Sequence, residues 1–285
     1  MRKKILVIGA TGNIGSNLVK LLAKNGDLVK AATRNPESYV AQPNIEPVAF
    51  DYDKPETYEP ALRGMDRAFV IARSGDPESD KVINPLIDKA KAAGLKHIVL
   101  LTSMGANQVE TSPLYKAEQH LMASGIDYTI LRPNWFMQNF SRGFILPTIQ
   151  QSDGIYLPVG EGKTSFIDTR DIAAVAAKSL TENGRHAGQA YPLTGGQSLS
   201  YAETARIISN VAGRPIQYVA ISDDDLRKNL AEAGWPPGQI EFMVAIFQPV
   251  KHGLAAAIDP TLASLLGREP ISFEQFAREN ADVWK

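Results

Sequence analysis

The sequence lacks cysteine and has few histidines, and both absences exclude particular kinds of chemistry. A chain without cysteine holds no disulfide, thiol nucleophile, iron–sulfur cluster or cysteine zinc site, and it fits a reducing compartment. The four histidines are far apart, and no pair has the spacing of metal ligands, so we predict no metal site. They are His97, His120, His186 and His252.

Excess charge and long hydrophobic runs are also missing. Thirty basic and 31 acidic residues give a formal net charge of −1, which provides no overall field to attract nucleic acid or an anionic membrane. The basic start and the apolar run Ile5 to Ile8 resemble a signal peptide, but glycines soon interrupt the run. No stretch of about eighteen apolar residues occurs. We therefore expect a cytoplasmic protein that binds neither nucleic acid nor membrane.

Short apolar runs alternate with amphipathic stretches through the first half of the chain. This pattern is typical of βαβ units that build a parallel sheet with helices on both faces. The predicted strands are Lys4–Gly9, Leu28–Thr33, Ile45–Phe50, Arg67–Ala72, His97–Thr102 and Tyr128–Arg132. The predicted helices between them are Asn13–Asn25, Pro55–Leu62, Asp80–Ala93 and Ser112–Ser124.

These units predict an α/β fold with a doubly wound parallel sheet of the Rossmann type and a smaller α/β C-terminal lobe. The default strand order for such a sheet is 3-2-1-4-5-6. We predict a dinucleotide-binding domain over residues 1–134, to which residues 165–195 return. Residues 135–164 and 196–285 then form the smaller, substrate-binding lobe.

A glycine-rich turn joins the first predicted strand to the first predicted helix. Gly9 permits a tight turn, Gly12 lets the backbone approach a pyrophosphate, and Gly15 lets the helix sit close to the strand. The backbone amides at the start of the helix then face the phosphates. The spacing is GxxGxxG, a modified form of the dinucleotide fingerprint. We predict a cofactor contact by Gly9, Thr11, Gly12, Asn13 and Ile14.

The end of the second predicted strand indicates which dinucleotide binds. An acidic residue there would bind the ribose 2′-hydroxyl of NAD, but the strand ends in Ala32-Thr33-Arg34-Asn35. Arg34 is suited to bind a 2′-phosphate, so NADPH is preferred over NADH. The alternative for Arg34 is a solvated surface residue. Asp51, after the third strand, either accepts from the adenine amino group or caps the turn that follows it.

Several segments together carry a resemblance to a known family. They are GATGNIG at 9–15, ATRN at 32–35, DY at 51–52, LTS at 101–103, KAE at 116–118, YTILRPNWF at 128–136, FIDTRDIA at 166–173 and YPLTG at 191–195. The chain resembles the NmrA-like branch of the atypical short-chain dehydrogenases over nearly its whole length. That branch includes NADPH-dependent quinone oxidoreductases, triphenylmethane dye reductases and redox-sensing regulators that bind the cofactor without turnover.

The resemblance implies further cofactor contacts. Ile71 and Ala72 are expected to border the adenosine half of the cofactor. The residues expected near the nicotinamide are Thr102, Ser103, Pro133 and Asn134. For Lys116, a contact with the ribose or the pocket and a solvated position on the helix are both open.

The usual catalytic pair of short-chain dehydrogenases is absent. Their tyrosine and lysine share one helical face, which requires a spacing of four residues. Here Tyr115 is followed four residues later by Gln119, and Lys116 lies beside the tyrosine instead. Ser103 and Tyr115 are the candidate catalytic residues, with a wall of the pocket as the alternative for Tyr115.

A hydride acceptor that forms a stabilised product needs no protein acid, so positioning can carry most of the catalysis. Trp135, Phe136 and Phe166 are the predicted substrate-pocket residues, and a packing role is the alternative for Trp135 and Phe136. We therefore expect an NADPH-dependent oxidoreductase that passes hydride to a small flat acceptor such as a quinone or dye. The rival is a redox sensor that reports to a protein partner. Monomer and homodimer are both open.

Overall fold

The computed structural model describes residues 2–40, 42–73 and 75–285. Its strands, in chain order, are β1 (Lys4–Ile8), β2 (Leu28–Thr33), β3 (Ile45–Ala49), β4 (Arg67–Ile71), β5 (His97–Leu101), β6 (Asp127–Pro133), β7 (Gly154–Leu157), β8 (Lys163–Thr164), β9 (Gln189–Leu193), β10 (Leu199–Ser200) and β11 (Gln217–Ala220). The six strands predicted for the first half are all present, and their ends differ from the prediction by at most one residue.

The helices frame these strands. They are α1 (Gly15–Lys24), α2 (Tyr58–Leu62), α3 (Asp80–Ala92), α4 (Pro113–Ala123), α5 (Leu146–Ser152), α6 (Thr169–Thr181), α7 (Tyr201–Ala212), α8 (Asp223–Glu232), α9 (Pro237–Lys251), α10 (Thr261–Leu266) and α11 (Phe273–Glu279). None of the helices in the described ranges combines the length and the apolar character that a membrane crossing requires. The helix predicted over Pro55–Leu62 begins as a 3₁₀ turn, Pro55–Thr57, and becomes α-helical at Tyr58.

The chain folds as two compact units. The first comprises Met1–Pro133 and Thr169–Leu193, and the second comprises Asn134–Asp168 and Thr194–Lys285. The labels cofactor-binding and substrate-binding for the two parts of the chain stay predictions.

The first unit is built on a parallel sheet in the order β3-β2-β1-β4-β5-β6-β9. This confirms the Rossmann-type fold class and the predicted order of the first six strands. Helices α1 and α6 cover one face, and α2, α3 and α4 cover the other. Strand β1 shows why the runs are apolar: Leu6 and Ile8 belong to the core under α2 to α4, while Ile5 and Val7 are buried on the opposite face.

The second unit has two small sheets and an aromatic core. Strands β8 and β10 pair antiparallel, and β7 and β11 pair parallel. Phe166 lies at the centre of the core and contacts Phe140 and Tyr201 edge-on, with ring centroids 5.2 and 5.3 Å away. Phe273 packs on the same group. Aromatic side chains bury much area each, so a few of them stabilise a lobe of small sheets.

Candidate functional site

The glycine turn has the geometry that the sequence predicts. Gly9 has φ +72°, a backbone conformation that favours glycine, and its carbonyl accepts from the N–H of Gly12 at 2.9 Å. A Cβ on Gly15 would lie 2.1 Å from the carbonyl oxygen of Gly9. The close packing of α1 on the end of β1 therefore requires glycine at position 15.

The backbone between Gly12 and α1 is open to a ligand. The helix begins at Gly15, two residues later than predicted, and Ile14 precedes it without a side-chain cap. A Cβ on Gly12 would meet only the carbonyl oxygen of Gly9, at 3.3 Å. Thr11 is exposed and Asn13 is half-buried. Uncapped amides at the start of a helix suit a phosphate, so the residues present fit a dinucleotide pyrophosphate.

The end of β2 lies beside this turn. The N–H of Ala10 donates to the carbonyl of Ala32 at 3.3 Å, which joins the glycine turn to β2 two residues before Arg34. Arg34 is exposed, and within the part of the chain that the structure describes its guanidinium has no ion-pair partner. Its charge is thus available near the predicted phosphate site.

At the ends of β3 and β4 the side chains are fixed by one another. The Asp51 carboxylate accepts from the N–H of Asp53 at 3.1 Å, which favours the turn-capping alternative for Asp51. Tyr52 donates its hydroxyl to the carbonyl of Ile71 at 2.8 Å. A Cβ on Gly9 would lie 3.1 Å from the side chain of Ile71, so β4 ends next to the glycine turn.

Sequence reasoning missed Arg73, which follows Ala72 after β4. Its guanidinium pairs with Asp53 at 2.6 Å and with Asp76 at 3.0 Å. It also lies 5.9 Å from the centre of the Tyr52 ring. Burial, more than any nearby charge, holds the pKa of Tyr52 above its usual range, so this phenol stays neutral. Arg73 thus ties the loop after β3 to the loop after β4.

A buried hydrogen-bonded network joins α4 to the ends of β5 and β6. Thr102 donates its hydroxyl to Glu118 Oε1 at 2.7 Å. Arg132 donates to both oxygens of the same carboxylate, from Nε at 3.0 Å and from Nη2 at 2.6 Å. Glu118 is completely buried. The sequence shows Thr102, Glu118 and Arg132 only as separate residues, because 14 to 30 positions separate them.

The two candidate catalytic residues lie near this network in sequence but are not part of it. Ser103 and Tyr115 are both half-buried, and Gln119, four residues after Tyr115, is exposed. Lys116 is exposed as well, with Nζ 3.9 Å from Asp80 on α3. That position favours the alternative of a surface lysine for Lys116. Within α4, which the structure describes in full, no lysine thus shares the helical face of Tyr115.

Asn134 follows β6, and its side chain is fully used within the second unit. Its amide nitrogen donates to Ser165 Oγ and to the carbonyl of Ala255, both at 2.8 Å, and its amide oxygen accepts from the N–H of Trp135. An asparagine amide has two N–H groups. The side chain of Asn134 thus holds parts of the second unit together, and its contact with the cofactor stays a prediction. Pro133 accepts from the N–H of Met104 at 2.9 Å.

The predicted substrate-pocket residues differ in their surroundings. Trp135 is half-buried and stacks on Phe247, with ring centroids 5.1 Å apart and 9° between the planes. Phe136 is half-buried and forms an isolated parallel bridge with Ile167. Phe166, however, is 2% exposed at the centre of the aromatic core. This position favours core packing for Phe166, and its role in the substrate pocket stays a prediction.

The sequence matches the NmrA-like family over residues 1–277. The chain belongs to the NmrA-like family. This confirms the resemblance inferred from the sequence motifs. Family membership accounts for the cofactor-type geometry at the glycine turn, but it leaves the acceptor unspecified.

Among its relatives, this NmrA-like protein is 36% identical to the NAD(P)H azoreductase of Xenophilus azovorans, with 97% of this chain and 98% of the relative covered. It is 25% identical in sequence to the structure of an NADPH-dependent quinone oxidoreductase from Escherichia coli complexed with NADPH, with a TM-score of 0.85 and coverage of 96% and 99%. The triphenylmethane reductase of Citrobacter sp., complexed with NADP(H), gives 25% identity, a TM-score of 0.82 and coverage of 97% and 99%. These relatives confirm the predicted class, an NAD(P)H-dependent oxidoreductase of the NmrA-like family.

Proposed function

We propose that this NmrA-like protein uses NADPH in preference to NADH and passes hydride to a small, flat, electron-poor acceptor such as a quinone or dye. The observation that carries the proposal is the turn from Gly9 to Gly15, where the chain leaves the start of α1 uncapped and open to a pyrophosphate. The residues that would hold the cofactor there are Gly9, Thr11, Gly12, Asn13 and Ile14.

The preference for NADPH rests on the charge at the end of β2. Arg34 is an exposed guanidinium directly after Thr33, and no carboxylate stands at this strand end to bind a ribose hydroxyl or repel a phosphate. A planar guanidinium binds a phosphate with two parallel hydrogen bonds.

The preference is tested by Arg34→Asp. We expect this substitution to weaken the binding of NADPH about tenfold to a hundredfold more than the binding of NADH, because it replaces a charge-assisted hydrogen bond by a repulsion between two negative charges. Fluorescence titration with both nucleotides measures this difference. The matched control is Arg206→Asp, the same charge change at an exposed position on α7 in the second unit. Equal weakening of both nucleotides by Arg34→Asp would contradict the assignment.

The missing tyrosine–lysine pair indicates the kind of acceptor, because the chain then has no evident proton donor for the product. A bound nicotinamide cofactor supplies a hydride, which is two electrons and one proton. A quinone that gains a hydride becomes a hydroquinone anion and takes its proton from water, so no protein acid is needed. The absence of lysine at position 119 suits this chemistry, and the names of the azoreductase, quinone and dye reductase relatives support it.

Aromatic side chains are proposed to contact the acceptor. Trp135 and Phe136 follow β6 in the chain, and both remain half-buried. A flat acceptor gains offset stacking or edge contacts from such rings. Ser103 and Tyr115 stay candidates for a polar contact with the acceptor, because Ser103 follows the carboxyl end of β5 and Tyr115 lies in the first turn of α4, the helix that comes after it.

Turnover decides between this function and a redox sensor, which the missing tyrosine–lysine pair also allows. The experiment follows the loss of nicotinamide absorbance with purified protein, NADPH and a panel of quinones, azo dyes and cationic dyes. Oxidation of NADPH by an acceptor, with a rate proportional to enzyme concentration, supports the oxidoreductase. Tight binding of NADPH without turnover across the panel supports the sensor.

A further inference from the structure

The proposed function leaves the charged pair of Glu118 and Arg132, at the carboxyl edge of the first unit, without a role. Glu118 is 0% exposed, and the side chain of Arg132 is 17% exposed. Burying charges costs free energy even when they are paired, so such a pair is weak evidence for stability alone. Its third member, Thr102, directly follows β5 at the edge where ligands bind in this fold.

The pair of Glu118 and Arg132 determines whether the Thr102 hydroxyl donates or accepts a hydrogen bond toward a ligand. A threonine hydroxyl has one hydrogen and two lone pairs. The Thr102 hydrogen points to Glu118 Oε1 at 2.7 Å, while the alternative acceptor, the carbonyl of Leu131, is 3.5 Å away. The Thr102 backbone is fixed too, since its N–H donates to Leu131 at 2.9 Å. The hydroxyl oxygen is therefore left as an acceptor in a rigid position.

Arg132 in turn fixes Glu118. Two parallel hydrogen bonds from one guanidinium hold both oxygens of the carboxylate, and such forks specify geometry as well as charge. Rotation of the Glu118 carboxylate would break at least one of them. The carboxylate thus cannot turn its lone pairs away from Thr102 without losing its own partner.

We propose that Glu118 and Arg132 are positioning residues that present the Thr102 hydroxyl as a hydrogen-bond acceptor to a donor on the nicotinamide half of NADPH. The donor is an N–H of the carboxamide or a hydroxyl of the adjoining ribose. This inference rests on the proposed function. It also assigns to Thr102 a binding role and no part in proton transfer, since its one hydrogen is held by Glu118.

The test compares two ligands in four variants. NADPH contains the nicotinamide half, whereas 2′,5′-ADP contains only the adenosine half with its 2′-phosphate. We expect Thr102→Val to weaken the binding of NADPH about tenfold and to leave the binding of 2′,5′-ADP unchanged, because one hydrogen bond to the nicotinamide half is lost.

Three further variants complete the test. Thr102→Ser keeps the hydroxyl and should bind both ligands as the wild type does. Glu118→Gln should weaken binding of NADPH alone, because an N–H group replaces one carboxylate oxygen and at least one of the hydrogen bonds from Arg132 or Thr102 is then lost. Gln119→Ala, at an exposed neighbour on α4, is the control.

The donor on the cofactor is identified with the 3-acetylpyridine analogue of NADPH, which lacks the carboxamide N–H. If the carboxamide is the donor, the wild type prefers NADPH to the analogue and Thr102→Val loses that preference. If the preference is the same in both proteins, the ribose hydroxyl is the donor, provided that Thr102→Val still weakens NADPH.

Two results would overturn the inference. One is unchanged affinity of Thr102→Val for NADPH, and the other is equal weakening of NADPH and 2′,5′-ADP, which indicates a merely structural role. If Glu118→Gln fails to fold by circular dichroism, the comparison of Thr102→Val with Thr102→Ser decides. A wild type that binds neither ligand would instead refute the proposed function, whereas a wild type that binds both keeps the proposed use of NADPH whatever the variants do.

Discussion

A single methyl group at Gly15 tests how closely α1 packs on the end of β1. The Cβ of Gly15→Ala would lie 2.1 Å from the Gly9 carbonyl oxygen and 2.7 Å from its carbonyl carbon, and backbone atoms cannot rotate away as a side chain does. We expect a loss of about 1–3 kcal/mol in unfolding free energy and weaker binding of NADPH. Urea unfolding and fluorescence titration measure the two effects.

The matched control for Gly15→Ala is Gly238→Ala. Gly238 also lies in the first turn of a helix, α9, but a Cβ there meets nothing within 4 Å. Alanine is the better helix former, so the control should be neutral or stabilising by up to about 1 kcal/mol. Equal unfolding free energies for the two variants would show that the space at Gly15 is not limiting.

At the scale of elements, the start of α8 is set by Ser222. Its hydroxyl accepts from the N–H of Asp225 at 3.0 Å, and the Asp225 carboxylate accepts from the N–H of Ser222 at 3.0 Å. We expect Ser222→Ala to cost about 1 kcal/mol and to raise amide exchange in the first turn of α8. Ser222→Thr keeps a hydroxyl that can both accept from the N–H of Asp225 and donate to its carboxylate, so it should lose little stability. Hydrogen exchange that is unchanged in Ser222→Ala would contradict this role.

The elements also show what the sequence can predict and where it stops. Strand β5, His97–Leu101, is buried along its whole length, so its apolar run identifies it and places Thr102 at its end. Position 118, by contrast, has no local signal: an acidic residue in an amphipathic helix usually faces solvent. Its burial depends on Arg132, which reaches it only after β5 and β6 pair. Pairs of residues this far apart in sequence can be identified only in the folded structure.

The same limit applies to the surroundings of Phe166 and Asn134. Phe166 follows a turn-rich segment and looks available to a ligand, but it lies among Phe140, Tyr201 and Phe273, which come from three separate parts of the chain. Asn134 bonds to Ala255, 121 positions away. The glycine turn, in contrast, is local: Gly9, Gly12 and Gly15 interact within seven residues, so the spacing alone predicts its geometry.

At the scale of the whole molecule, one buried histidine links stability to pH. Burial, with a smaller effect of the Arg67 charge, lowers the pKa of His97 to about 4. The unfolded chain therefore takes up this proton first, near pH 6.5, and unfolding free energy falls as the pH drops from about 6.5 to about 4. We expect a loss on the order of 2–3 kcal/mol across this window.

Denaturant unfolding at pH 7, 6 and 5 measures the effect of His97. His97→Gln has no titrating ring and can still donate to Thr129, the residue that His97 contacts at 2.9 Å. Its unfolding free energy should depend less on pH than that of the wild type. His252→Gln, at an exposed position, is the control and should keep the wild-type slope. If the unfolding free energies of His97→Gln and the wild type depend equally on pH, His97 is not the residue that links stability to pH.

The C-terminal residues hold the second unit together. Trp284 is fully buried, its indole N–H donates to the carbonyl of Phe140 at 2.7 Å, and its own carbonyl accepts from Arg214 Nε at 2.8 Å. Trp284→Phe keeps an aromatic ring but leaves the Phe140 carbonyl without its partner. We expect a loss of about 1–3 kcal/mol in the stability of this unit.

Tryptophan fluorescence can measure this change in stability, because all three tryptophans lie in the second unit. They are Trp135, Trp235 and Trp284. Tryptophan fluorescence therefore reports on that unit, whereas far-ultraviolet circular dichroism reports on both.

In Trp284→Phe the midpoint of the fluorescence transition in urea should fall, and Trp235→Phe, at a half-buried position, should shift this midpoint less. If the two units unfold separately, part of the dichroism transition stays at the wild-type midpoint. If they unfold as one, the dichroism and fluorescence midpoints fall together. An unchanged fluorescence midpoint would show that the Trp284 hydrogen bond does not stabilise the unit.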